Sequence, residues 1–194
     1  MKVHYAHIIG IDEVGRGPLA GPVFVAGVKV QVKLSRSSIF SGIKDSKQLT
    51  EKQREKWFVA LTKNPEISWA VSRVSPRVID QINIRRATNL AARRVHGRLG
   101  GYRCFSALDG GLSLPNDAPH QAFIRGDERI PVIAAASIIA KVLRDRLMVR
   151  VDTKFPRYGF RRHKGYGTKE HMKALRKFGP IGIHRKSFLS FLEA

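Results

Sequence analysis

The chain has 194 residues, enough for one well-packed domain, and 43% of them are hydrophobic, as in ordinary globular proteins. No apolar run approaches the roughly 20 residues that a membrane-spanning helix needs, and no secretory signal is visible, so we expect no membrane association. Lysine and arginine number 36 against 15 acidic residues, a net charge of +21. This excess predicts a polyanionic partner, most commonly nucleic acid, but it would equally suit a ribosomal protein and indicates no activity.

The first half of the chain alternates strand-like and helix-like patterns. The predicted elements, in chain order, are a covered strand at 7–14, a Gly/Pro-rich turn at 15–22, a strand at 23–30, a helix from Glu51 to about Leu61, a strand at 67–74, and a basic helix at 82–98 that follows a helical stretch opened by Ser75 and Pro76. Thr50 before Glu51 is a typical helix start.

The second half is predicted to add two strands and the longest helix. Its elements are a strand at 102–108, a short strand near 121–125, a helix from about Pro131 to Val151, a basic Gly/Tyr segment at 158–167, and a short helix near 168–178. The whole order predicts an α/β fold, a mixed sheet flanked by helices. We expect one domain over residues 1–194, with a small C-terminal helical appendage from about residue 155 to residue 194.

Cysteine is used once, at Cys104. A single cysteine excludes an internal disulfide and fits a reducing compartment, so we expect a cytoplasmic protein. Because Cys104 lies within the predicted strand at 102–108, we expect its side chain to be a buried small hydrophobe.

The acidic residues are few, and two of them end an apolar strand. Asp12 and Glu13 follow the run HIIGI and lead into a turn with Gly15 and Gly17. Buried carboxylates must be paired, neutralised or metal-bound, and two adjacent ones favour a divalent cation. An ion pair with Arg16 or a helix-capping role is the alternative. Because neighbours in a strand point to opposite faces, either the chain bends here or the longer Glu13 reaches around.

Two further acids are candidates, although neither is decisive alone. Asp109 ends the strand at 102–108 and, followed by Gly110, could simply form a turn. Asp145 lies on the long helix and shares a face with Ser137 and Lys141. An exposed pairing with Lys141 or Arg146 is the alternative interpretation.

Converging carboxylates suit phosphodiester hydrolysis. Cutting a phosphodiester requires neutralising the scissile phosphate and activating water, and two hard cations roughly 3.5–4 Å apart do both with oxygen ligands. The chain has no Cys/His cluster at zinc spacing and no phosphate-binding loop of the nucleotide-hydrolase type. The sequence leaves open whether Mg²⁺ or Mn²⁺ is the working metal.

The motifs that contain these acids resemble those of the ribonuclease HII family, the type 2 ribonucleases H. The similar blocks, in the order the family has them, are GIDEVGRGPLAGPV (10–23), DSKQLTEKQRE (45–55), ALDG (107–110), AAASIIAKVLRD (134–145), HKGYGTKEH (163–171) and HRKSF (184–188). The resemblance covers about residues 7–190. The GRG turn favours type 2 over the type 3 relatives, which typically have GKG and an extra N-terminal domain.

The resemblance implies an RNase H-like fold with a five-stranded mixed sheet and a two-metal centre. The implied ligands are Asp12, Glu13, Asp109 and Asp145, with Asp12 bridging two Mn²⁺ or Mg²⁺ ions. The implied activity is cleavage of the RNA strand of RNA–DNA hybrids, and of single ribonucleotides in duplex DNA, leaving a 5′-phosphate and a 3′-hydroxyl.

Substrate-binding residues are also implied by the resemblance. Gly15, Arg16 and Gly17 would read the 2′-hydroxyl, the group that distinguishes RNA from DNA, or the glycines merely form a tight turn. Tyr166 would stack on the neighbouring sugar. Two further contacts, both to phosphate, are predicted for Lys47 and Arg185, unless these are ordinary solvated side chains.

Some positions depart from the family pattern. Arg129 stands where a lysine is frequent, which alters hydrogen-bond geometry, and Val14 stands where alanine is common. The C-terminus carries no glutamine-led aromatic motif for a sliding clamp. We therefore infer no protein partner, and the high net charge favours a monomer.

Two rival functions remain open at this point. A basic nucleic-acid-binding protein without catalytic activity would explain the charge but would leave the acids at strand ends unexplained. A related metal nuclease acting on branched DNA would use the same carboxylates without requiring a ribonucleotide.

Overall fold

The computed structural model describes residues 4–101 and 103–192. Its centre is one five-stranded sheet in the order β3-β2-β1-β4-β5. The strands are β1 (His7–Val14), β2 (Val23–Gln31), β3 (Ser68–Val74), β4 (Cys104–Asp109) and β5 (His120–Phe123). Strand β2 runs antiparallel to β1 and β3, whereas β4 runs parallel to β1 and β5. The predicted mixed sheet is confirmed.

The described residues form seven α-helices around the sheet. They are α1 (Glu51–Lys63), α2 (Pro76–Ile82), α3 (Ile84–Leu99), α4 (Gly126–Arg129), α5 (Pro131–Lys154), α6 (Phe160–His163) and α7 (Lys169–Phe178). Among these helices, none has the length and apolar character required to cross a membrane.

Local signals explain where the helices begin. Thr50 caps α1 in a capping box with Gln53, as the sequence favours. The predicted helix at 82–98 begins later, at Ile84, because Asn83 adopts a positive φ of 63° and its side chain accepts from Arg86 N. Of the predicted strand at 102–108, Tyr102 lies outside the described residues and the strand itself begins at Cys104, which is buried.

Two apolar layers sandwich the sheet. Val23 and Val25 of β2 pack with Ala91 and Val95 of α3 in one core cluster. Residues of the opposite parity on β2, such as Ala26 and Val28, pack in a second cluster with α5. Successive side chains of β2 point to opposite faces of the sheet, and both faces are buried. Helices α3 and α5 therefore lie on opposite sides of the sheet.

The C-terminal segment forms a third apolar cluster against the other elements. Phe160 and Leu175 pack with Met148 of α5 and with Ala20 of the turn after β1. Gly165 O accepts from the backbone amides of Leu19 and Ala20. The basic Gly/Tyr segment therefore lies beside the turn that follows the acidic end of β1.

Candidate active site

Three of the four predicted carboxylates meet at one end of the sheet. The parallel register places Ile11 opposite Leu108, so Asp12 and Asp109 follow one another on neighbouring strands. Oxygen atoms of Asp12, Glu13 and Asp109 all lie within 4.8 Å of one another. The side chains converge because β1 and β4 end at the same edge of the sheet.

Asp12 and Glu13 share this site without a break in the strand. Pairing with β2 continues through Val14, which lies opposite Phe24, so the strand does not bend at Asp12. Glu13 N donates to Asp12 Oδ1 at 2.7 Å. Of the two solutions open from the sequence, the structure therefore has the longer Glu13 reaching the common site.

The cluster has a high electrostatic cost in the absence of a cation. Asp12 is 4% exposed, and burial, followed by repulsion from Glu13 and Asp109, raises the pKa of its carboxyl well above the ordinary 3.8. Burial also raises the pKa of Glu13, although Arg16 at 3.3 Å opposes this. Glu13 Oε2 is buried with no hydrogen-bond partner among the described residues. An oxygen-rich site with an unsatisfied acceptor fits a hard divalent cation.

Asp145 lies outside this group, contrary to the prediction from the sequence. Its carboxylate is 2.9 Å from Lys141 Nζ, which is the alternative that the helical spacing left open. Ser137, not Asp145, is the α5 residue near enough to Asp12 to lower the pKa of its carboxyl. Eight residues separate Ser137 from Asp145, about 12 Å along a helix, and this distance explains why Asp145 lies beside α1 instead.

Asp127, which the sequence analysis did not single out, is a further buried acid that adjoins the three clustered carboxylates without being one of them. It lies on the short helix α4, is 4% exposed, and its backbone amide lies 3.4 Å from Asp109 Oδ1, which also accepts from Gly126 N at 2.7 Å. The available signal was a second acid after Gly126, directly before the long helix. A four-residue helix at this point is not visible in hydrophobic periodicity.

Lys47 neutralises part of this acidic region. Its ammonium lies 3.0 Å from Asp127 Oδ2 and 4.0 Å from Asp45 Oδ2, although 77% of its side chain is exposed. Partial burial favours the neutral amine of Lys47. The negative charges of Asp127, Asp45 and Asp12 outweigh this effect, so the pKa of Lys47 is raised. Lys47, which the sequence predicts as a phosphate contact, therefore lies beside the acidic cluster and contacts Asp127.

The two positions of the turn, Gly15 and Gly17, differ in whether the backbone requires a glycine there. Gly15 has a φ of +87°, and a Cβ there would lie 2.2 Å from Arg144 Nε, so the fold itself requires glycine. At Gly17 a Cβ would meet no described atom within 4 Å. The tight-turn interpretation thus accounts for Gly15, whereas the backbone at Gly17 adjoins open space.

Arg185 is a structural residue, which corrects its prediction as a phosphate contact. It is fully buried, and its guanidinium donates to Gly15 O at 2.6 Å, Arg16 O at 2.7 Å and Gly21 O at 2.8 Å. Burial lowers its pKa to about 9. A second buried arginine, Arg144, donates to Ala20 O and Pro22 O. The two arginines hold the turn from within.

Tyr166 stands at the outer side of this turn. Its side chain is 42% exposed, and Arg144 Cζ lies 5.8 Å from its ring centroid. Its carbonyl accepts from His171 Nδ1 at 2.9 Å, and His171 Nε2 lies 3.1 Å from His184 Nε2. An exposed ring held by buried groups is suited to stacking on a nucleotide.

The chain was compared with known proteins. The sequence model of the family described as ribonuclease HII matches residues 9–191. Ribonuclease HII of Caldicellulosiruptor bescii is 48% identical over 186 residues, which cover 95% of this chain and 87% of that protein. Ribonuclease HII of Chlamydia caviae is 48% identical over 184 residues, covering 95% and 84%.

Solved structures have the same architecture. Ribonuclease H2 from Pyrococcus horikoshii superposes with a TM-score of 0.78 at 26% identity, covering 96% of this chain and 97% of that one. A ribonuclease HII from Archaeoglobus fulgidus, solved in complex with PCNA, gives 0.77 at 28% identity, covering 92% and 93%. A ribonuclease HIII solved with Mn²⁺ shares the fold, with a TM-score of 0.72 at 19% identity over 97% and 68%. The five-stranded sheet is thus the RNase H-like fold, and the chain belongs to the ribonuclease HII family.

Proposed function

We propose that this protein is an endoribonuclease that cuts the RNA strand of RNA–DNA hybrids, and single ribonucleotides in duplex DNA, by two-metal-ion hydrolysis. The observation that carries the proposal is the buried group of Asp12, Glu13 and Asp109 at the end of the sheet, in a chain of the ribonuclease HII family. The expected products carry a 5′-phosphate and a 3′-hydroxyl. We place the protein in the cytoplasm.

Asp12, Glu13 and Asp109 would hold the divalent cations, Mg²⁺ or Mn²⁺. Bound there, two such ions would supply charge neutralisation at the scissile phosphate and a more acidic water. We assign the fourth ligand position to Asp127 in place of Asp145. Asp127 is buried and adjoins Asp109 through its backbone, whereas the carboxylate of Asp145 is held by Lys141.

The chain's own cations complete the centre. Arg16 contacts Glu13 in the structure, and Lys47 contacts Asp127. With a substrate present, the exposed Lys47 side chain is free to turn toward a phosphate oxygen near the cut. Such contacts orient the backbone but read no sequence.

Selection for a ribonucleotide is assigned to the turn and to Tyr166. The open space at Gly17 allows a sugar to approach the backbone, where amides and carbonyls can hydrogen-bond a 2′-hydroxyl. Tyr166 adjoins the same turn through Gly165 and would stack on the next sugar. The clamping of the turn by Arg144 and Arg185 keeps this surface rigid.

The test is cleavage of a DNA duplex that contains one ribonucleotide, with both products mapped. We expect one cut, on the 5′ side of the ribonucleotide, that requires Mg²⁺ or Mn²⁺. Cutting of an all-DNA branched substrate at the same rate would contradict the proposal in favour of a branched-DNA nuclease. A protein that binds the duplex but is inert in both metals would favour the non-catalytic alternative.

A further inference from the structure

Two adjoining grooves follow the edge strand β3, and none of the clustered carboxylates lines them. One, about 560 Å³, lies between Pro22, Phe155 and β3, and the other, about 440 Å³, lies between β3, α3 and α5. Arg73 and Arg94 line both grooves. Arg98 and Arg150 complete the second groove, and we call the combined surface, defined by these four arginines, the arginine groove.

The charge of the arginine groove is not neutralised within the described part of the chain. All four arginines are exposed, and none lies within 4.0 Å of a described carboxylate oxygen, whereas Arg146 and Arg162 pair with Glu55 and Glu170. No acidic residue lines either groove. Arg150 also lines a separate groove that contains Glu55 and Asp145, whereas Arg73, Arg94 and Arg98 do not. The neighbouring cations create a positive field along the edge strand.

The arginine groove lies at the same end of the sheet as the carboxylates. Val14 of β1 pairs with Phe24 of β2, and Phe24 pairs with Arg73 of β3. Two strand spacings therefore separate Arg73 from Val14, about 10 Å across the sheet. Pro22, at the rim, ends the turn that Arg144 holds. A duplex seated at the turn therefore has the arginine groove within reach of its backbone.

We propose that the arginine groove binds the phosphate backbone of the duplex outside the segment that is cut. Duplex nucleic acid carries one charge per roughly 1.7 Å of its axis, so even a small extension beyond the site brings several phosphates to these guanidinium groups. The identity of the duplex rests on the proposed function, but the binding itself does not require cleavage. The groove lengthens the footprint without adding sequence preference.

Two other roles would suit parts of this surface: protection of the edge strand and binding of an acidic protein segment. Charged side chains also protect exposed edge strands from pairing with other chains, and Arg98 does donate to Val71 O of β3. An acidic protein segment could pair with the same arginines. Both are outcomes of the test below.

The test compares two double variants with the same loss of charge. Arg73→Gln/Arg94→Gln alters the groove, whereas Lys33→Gln/Arg36→Gln alters exposed residues after β2, at the opposite end of the sheet from Asp12. Binding is measured without divalent metal, over a range of salt, to hybrid duplexes of about 10 and about 30 base pairs. Each lost phosphate contact lowers the slope of log K against log salt by about 0.9.

We expect the groove variant to lose about tenfold or more in affinity for the long duplex, with a slope smaller by about 2, and less than twofold for the short one. The control variant and the cleavage rate at saturating short hybrid should be unchanged. The proposal would be overturned by equal slopes for both variants or by equal losses for both duplexes. It would also be overturned by self-association of the groove variant without a binding defect, or by binding of an acidic peptide in place of DNA. A wild-type protein that shows groove-dependent binding but cuts no hybrid would refute the proposed function alone.

Discussion

At the scale of single residues, the acidic end of the sheet brings oxygen atoms of Asp12, Glu13 and Asp109 within 4.8 Å of one another. Asp12, Glu13 and Asp109 each end a strand, and parallel strands bring such ends together, so their meeting could be predicted. The motif on α5 predicts Asp145 as the fourth ligand, whereas the rise of that helix places the Asp145 carboxylate beside Lys141. Asp127 could not be predicted because its burial depends on contacts between α4 and β4 that local pattern does not encode.

The two candidates for the fourth position make opposite predictions. Asp127→Asn should lower kcat on an RNA–DNA hybrid by at least about 100-fold, because it removes a metal-binding oxygen. Asp145→Asn should stay within a few fold of the wild type, since it breaks only the ion pair with Lys141. Steady-state kinetics in Mn²⁺ decides between them. The reverse ranking would restore Asp145 and exclude Asp127.

Asp12 should destabilise the metal-free protein. Because its pKa is raised in the folded state, folding becomes less favourable as pH rises through the ordinary carboxyl range and the group must ionise. Asp12→Asn should therefore stabilise the metal-free protein at pH 7 by about 1 kcal/mol, or a Tm increase of about 2–4 °C, while abolishing cleavage. Thermal unfolding in a chelator measures this. A lower Tm for the variant would show that Asp12 is not under electrostatic strain.

At the scale of elements, the turn between β1 and β2 depends on residues far along the chain. The sequence predicts a turn from Gly15 and Gly17, but not that Arg144 and Arg185 fill the space beneath it. In the sequence, Arg144 is an ordinary member of a basic chain and Arg185 is a candidate phosphate contact. Their burial becomes evident only once the C-terminal segment packs against α5 and the turn.

Replacing Arg185 should therefore unfold the turn. Arg185→Ala leaves the carbonyls of Gly15, Arg16 and Gly21 without their donor, at an expected cost of about 3 kcal/mol or more in the free energy of unfolding. Arg185→Lys should recover little, because an ammonium cannot match the planar fork. Urea unfolding gives the values, with the exposed Arg36→Ala as the matched control. A loss below 0.5 kcal/mol, about that of an ordinary surface change, would return Arg185 to the phosphate-contact role.

The buried histidines should make this region sensitive to acid. Ile181 N donates to His184 Nδ1, which leaves the proton of a neutral His184 ring on Nε2, facing His171 Nε2. His171 Nδ1 in turn donates to Tyr166 O. This set of hydrogen bonds uses both rings in their neutral form. Burial lowers the pKa of His171 from 6.5 to about 4. Between these values the unfolded chain binds the proton and the folded chain does not. Stability should therefore fall as pH drops through this window, by up to about 1.4 kcal/mol per pH unit.

The comparison of wild type with His171→Asn isolates this effect. The variant keeps a donor near Tyr166 O but does not titrate, so its unfolding free energy should depend less steeply on pH between 6.5 and 4. Urea titrations at several pH values provide the slopes. Identical slopes would mean that His171 is protonated with its ordinary pKa in the folded protein.

At the scale of the whole molecule, the order of strands and helices was largely accessible from the sequence. Apolar runs such as 7–14 and 23–30, and the long helix from Pro131, carry strong periodic signals, and the blocks around them identify the family. The contacts of the C-terminal segment were not accessible, since its short helices have weak patterns and are fixed by packing on Met148 and Ala20. The net charge of +21 predicts a polyanion, whereas its distribution, with unpaired arginines along β3, required the structure.

The most direct test of the central claim is a crystal structure with Mn²⁺ and a non-cleavable hybrid, in which anomalous scattering locates the metal. We expect manganese peaks bounded by the oxygen atoms of Asp12, Glu13 and Asp109, with Asp127 completing the site and Lys47 moved toward a phosphate. Manganese bound elsewhere, or none bound at these carboxylates while the hybrid occupies the turn, would contradict it.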